Sequence, residues 1–122
     1  MKAKYLAVAA TCLFLSMVCS VWAEDKSTWT TGNDLLGDCV KLENAMPNSP
    51  GADAARAGRC LGEVNGVSNT MFHYKTICPP NGVSAGQTVV IVLRYLRAHP
   101  EDLHMNSSLL IMGALSEAFP CK

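Results

Sequence analysis

The chain has 122 residues, with 10 Lys and Arg against 10 Asp and Glu, a balance that gives no basic footprint for nucleic acid. That length suits a single domain once a targeting segment is set aside. Beyond the first 23 residues no stretch reaches the roughly 20 consecutive apolar residues that a membrane-spanning helix needs.

The N-terminus reads as an export signal covering residues 1–23. Lys2 and Lys4 form a charged start, Leu6 to Val18 an apolar core, and Val21-Trp22-Ala23 a small-residue cleavage site. Val18 before Cys19 argues against lipid attachment there. Cleavage after Ala23 leaves residues 24–122 as one domain with 8 basic and 10 acidic residues, a net charge of −2. Cys12 and Cys19 leave with the signal, and Cys39, Cys60, Cys78 and Cys121 remain. An even count in a small exported chain predicts a disulfide framework, because an oxidising compartment permits it and a core this small gains from it.

Glu24 to Trp29 is polar and predicted to fray. Thr30-Thr31-Gly32-Asn33-Asp34 then supplies capping residues, and Leu35, Leu36, Cys39, Leu42 and Met46 follow at helical spacing. Met46-Pro47-Asn48-Ser49-Pro50-Gly51 breaks that first helix. A second helix is predicted from Ala52 to Tyr74, with Ala57, Cys60, Leu61, Val64, Val67 and Met71 on one face. Gly58, Gly62 and Gly66 recur along it every fourth residue, which predicts close approach of another backbone. His73, between Phe72 and Tyr74, is expected to be partly buried.

Cys78-Pro79-Pro80-Asn81-Gly82 is turn chemistry, and Ser84 with Gln87 is a capping box opening a third helix. Val89, Val90, Leu93 and Leu96 mark its apolar face. At His99-Pro100 one helix is expected to end and the next to begin, with Glu101 and Asp102 in the new first turn. Leu103, Leu110, Ala114, Leu115 and Phe119 continue that fourth helix. The fold class is therefore all-α, a compact disulfide-crosslinked bundle of four main helices. Four cysteines allow three pairings; antiparallel helix hairpins favour Cys39–Cys60 with Cys78–Cys121. The loop-entropy model assigns each about 3–4 kcal/mol.

Sites of chemistry are sparse. Gly82-Val83-Ser84-Ala85-Gly86 matches a hydrolase elbow in letters, but that motif needs a strand before it and a parallel sheet beneath it, and Ser84 as a cap explains the same residues. His99 and His104 are five apart, where a helical metal pair wants three or four. His99 reads instead as a corner residue at a helix C-terminus. Asn106-Ser107-Ser108 matches a glycosylation acceptor but falls inside the predicted fourth helix. The expectation is a protein that is not an enzyme and carries no cofactor or metal.

The order Gly32-Asn33-Asp34-Leu35-Leu36, Cys39, Cys60-Leu61-Gly62-Glu63, Cys78-Pro79-Pro80-Asn81-Gly82, Tyr95-Leu96-Arg97-Ala98-His99-Pro100-Glu101-Asp102-Leu103-His104 and Ala118-Phe119-Pro120-Cys121 resembles the Rap1a/Tai immunity-protein family. That resemblance implies a small periplasmic helical protein guarding a Gram-negative cell against a peptidoglycan amidase of type VI secretion. The cognate effectors are cysteine peptidases, and family members block the active-site cleft as dimers, so a homodimer is implied as well. Two connections are candidate contact surfaces. One holds Glu43, Asn48, Ser49 and Asp53; the other holds His99, Glu101 and His104. The first is preferred for partner contact, because the family signature concentrates in the second. The alternatives are a periplasmic chaperone-like or stress-related helical binding protein without a dedicated toxin, and a small hydrolase using Ser84.

Overall fold

The computed structural model describes residues 30–44 and 51–122. The signal segment, Glu24–Trp29, Met46, Asn48 and Ser49 lie outside them. Four α-helices run in order: α1 (Gly32–Glu43), α2 (Gly51–His73), α3 (Ala85–Ala98) and α4 (Ser107–Ala118), with a 3-10 turn at Pro100–Asp102 before α4. Each α-helix touches the other three, so the described residues form one bundle around a shared core.

The helix starts follow from side-chain chemistry. Thr31 caps α1 and Asp34 reaches back to the Thr31 N–H; Ser84 and Gln87 make the same reciprocal pair at α3. α2 ends where Lys75 turns left-handed at φ +55°, with the Thr76 N–H donating to the Met71 carbonyl and the Lys75 N–H to that of Phe72. Gly82, at φ +89°, supplies the left-handed residue of the turn into α3.

Apolar burial follows the predicted faces closely. Leu35 and Cys39 of α1, Cys60, Val64 and Met71 of α2, Val89, Val92, Leu93 and Leu96 of α3, and Leu110, Ile111, Ala114 and Leu115 of α4 meet in the core. Ile77 joins them from the α2–α3 connection. Both expected disulfides are present, Cys39–Cys60 with Cα atoms 5.0 Å apart and Cys78–Cys121 with Cα atoms 4.9 Å apart. The first pins α1 to α2 in the core. The second ties the start of the α2–α3 connection to the C-terminus, where the Cys78 N–H also donates to the Phe119 carbonyl at 2.9 Å.

Four expectations are corrected. The stripe of Gly58, Gly62 and Gly66 is exposed, and an added Cβ at any of them would meet nothing within 4 Å. Val90 stays 60% exposed beside its buried neighbour Val89. His73 is exposed and lies at the edge of Tyr74, with ring centroids 5.5 Å apart, because two positions on from the buried Met71 it falls on the opposite side of the last turn of α2. Pro100 opens a 3-10 turn, and α4 begins seven residues later at Ser107.

That last shift has a clear cause. The Leu103 and Met105 carbonyls accept the N–H groups of Asn33 and Gly32, each at 3.0 Å, which an α-helix through this region would have taken for itself. Asn106 is then the cap, its side-chain oxygen accepting the Ser108 N–H at 3.0 Å. The Asn106-Ser107-Ser108 triplet therefore sits at a helix start rather than within a helix.

Candidate partner-binding surface

The second connection is bolted to α1 by its backbone. Beyond the two bonds to Leu103 and Met105, the Asn33 side-chain amide donates to the Leu103 carbonyl at 3.1 Å, and Thr31 pairs with Asn106 as an antiparallel bridge. Gly32 makes the close approach possible, since a Cβ there would collide with Leu110 Cδ1 and stand 3.0 Å from the Leu103 Cα. The Gly32-Asn33-Asp34 and His99–His104 fragments of the sequence signature thus hold each other.

Within the corner, the His99 ring stacks on Tyr95, centroids 4.2 Å apart and planes 28° from parallel, and its Nδ1 lies 2.9 Å from the Tyr95 carbonyl oxygen. His104 Nδ1 lies 2.9 Å from the Glu101 carbonyl oxygen. Both imidazoles are spent on fixing local backbone. Glu101 and His104 remain exposed on a connection whose shape is set before any partner arrives. Behind it, the Ser107 hydroxyl donates to the Glu63 carboxylate, joining the start of α4 to α2.

Of the first connection, the structure describes the two ends. Glu43 accepts from Arg97 at 2.6 and 3.4 Å, and Asp53 lies 3.4 Å from Lys41. The hydrogen bond from Arg97, followed by its charge, holds the Glu43 carboxyl below its ordinary range, and Glu43 raises Arg97 in return. Both acidic residues at the loop's ends are therefore paired within the chain.

Sequence reasoning missed a third feature between α1 and α2. Asp38 is buried, yet Arg59 reaches it at 2.8 and 3.0 Å and Arg56 at 3.5 Å. The signal was available: a bridge from Cys39 to Cys60 sets Asp38 beside Arg59. Also missed were the exposed apolar side chains Phe72, Tyr74, Met105, Leu109 and Met112.

Among the described residues, the cysteines and Ser84 have structural roles. All four cysteines of the described residues are in disulfides. Ser84 Oγ accepts the Gln87 N–H at 3.2 Å, and the depression beside it is lined by Gly86, Gln87, Val90 and Ile91, none of which is a base. Among the described residues no three His, Cys, Asp or Glu side chains cluster as a metal site would require, and no helix is long and apolar enough to cross a membrane.

The described residues form a small helical frame, clamped twice by disulfides and braced at the α3–α4 connection. The family comparison gives that frame its place: the model for the Rap1a immunity proteins matches residues 31–121, and the chain belongs to that family. The match begins at the cap of α1 and ends at the last cysteine. No curated protein and no solved structure matches the chain.

Proposed function

We propose that this chain, exported by residues 1–23, is the periplasmic immunity partner of a peptidoglycan amidase delivered by type VI secretion, a cysteine peptidase whose cleft it blocks. The family match over residues 31–121 is the observation that carries the reading. The braced geometry supports it, because an inhibitor that is ordered before binding loses little conformational freedom in the complex. On this reading the Pro100–His104 corner is a preformed projection, with Glu101 and His104 at its exposed rim. The connection between Glu43 and Asp53 supplies the variable contact that tells one amidase from another.

The test is co-expression in the periplasm with the amidase encoded beside this gene. Survival of the cells, together with a complex that co-elutes on gel filtration, is expected. Continued lysis with normal levels of folded, oxidised protein would remove the proposal.

A further inference from the structure

Gly113, in the middle of α4, faces the Tyr95 side chain of α3. An added Cβ there would stand 3.0 Å from the phenol oxygen and 3.4 Å from Cζ. Glycine inside a helix weakens it, and at this position its missing side chain is the room that the phenol occupies. The same ring is stacked by His99, with centroids 4.2 Å apart. Tyr95 is thus held in place by both helices before any ligand arrives.

That ring lines a groove between α3 and α4 of about 370 Å³, within the range of about 300–1,000 Å³ typical of small-ligand sites. Ile91, Ala98, Ala114 and Ala118 supply the rest of its apolar lining, while Arg94 on α3 and Glu117 on α4 bring opposite charges to it. Both charged side chains are exposed. The ion pairs of the described residues use Lys41, Arg56, Arg59 and Arg97 as cations, so Arg94 and Glu117 pair neither with each other nor with another described residue.

We propose that this groove binds a short peptide with both termini free, its carboxylate on Arg94, its ammonium on Glu117 and an apolar side chain against Tyr95. A ligand of one sign would be drawn by one rim and repelled by the other, whereas a zwitterion satisfies both. The planar guanidinium matches a carboxylate with two parallel hydrogen bonds. Arg94 and Glu117 stand too far apart for an ion pair, and a peptide, unlike a single amino acid, separates its two charges by a residue or more of chain. This binding site belongs to the chain itself and does not depend on the immunity reading.

The probe is the dipeptide alanyl-leucine, titrated into the protein with both disulfides closed and followed by backbone amide shifts in two-dimensional NMR. Saturable shifts at Ala98, Gly113, Ala114 and Ala118 are expected, with a Kd of about 0.1–1 mM, in keeping with so small a ligand. Acetylating the amino end or amidating the carboxyl end should each weaken binding about fivefold or more. Arg94→Gln and Glu117→Gln should do the same, and Gly113→Ala, which crowds the Tyr95 hydroxyl, should weaken binding of every form. Lys75→Gln, remote on the end of α2, should change nothing. The blocked peptides probe both charges on the unaltered protein, so the answer stands even where a variant does not fold. Absence of saturable shifts at 20-fold the expected Kd would overturn the proposal, as would equal binding of the blocked and free peptides or indifference to both charge variants.

Discussion

At Gly32 an added methyl group would meet the Leu110 side chain and the Leu103 backbone, which cannot both withdraw while Gly32 and Asn33 hold the Met105 and Leu103 carbonyls. Gly32→Ala is therefore expected to cost about 1–3 kcal/mol, the usual range for overpacking, seen as a lower urea midpoint at unchanged slope. Gly62 is the opposite case. Open space surrounds it, so Gly62→Ala should raise stability by about 1 kcal/mol through helix propensity alone. The sequence holds the information to separate the two. With 3.6 residues per turn, Gly58 and Gly62 lie about 200° around α2 from Cys60, on the face away from the core stripe. A four-residue glycine spacing resembles a packing seam, but its phase against the disulfide cysteine puts it on the solvent side. Gly32 has no such signal, because its constraint comes from Leu103, far away along the chain.

Between elements, polar ties set where one helix lies on another. Asp38 is 7% exposed at its side chain, while its partners Arg56 and Arg59 are 54% and 66% exposed. Asp38→Ala removes its two ion pairs to α2, and with the arginines free to turn to water the expected loss is about 1–2 kcal/mol in urea unfolding. The Glu43–Arg97 pair belongs to the same scale and titrates. Because the folded carboxyl sits below its unfolded value, the pair stabilises the fold above the unfolded carboxylate range, and that contribution disappears as pH falls through the lowered folded value. Arg97→Gln should accordingly lower the neutral plateau of a stability-versus-pH curve slightly and leave its acid end unchanged, so that the acid limb is flatter by the same amount. Helix starts with their own side-chain caps, at Thr31 and Ser84, were readable in advance. The α3–α4 corner was readable only as a break, because the carbonyls that keep it from becoming helix are claimed by α1.

For the molecule as a whole, two crosslinks of unequal exposure make a testable hierarchy. Cys39 and Cys60 are fully buried among core side chains, whereas Cys78 and Cys121 lie at the surface. Their sequence separations, 21 and 43, correspond to about 3 and 4 kcal/mol of loop-closure stabilisation. Since a domain of this size has only about 5–15 kcal/mol in total, losing both should leave little folded protein. Thiolate attack needs access to sulfur, so mild reductant in native buffer is expected to open Cys78–Cys121 first. Thiol alkylation followed by mass spectrometry should then label Cys78 and Cys121 while Cys39 and Cys60 stay unmodified until urea is added. The half-reduced protein keeps its core clamp, and its helical signal should persist with a lower melting temperature. Simultaneous labelling of all four cysteines in native buffer would show that the bundle opens as one unit. The buried bridge would then give no separate protection to α1, and with it to the corner that α1 braces.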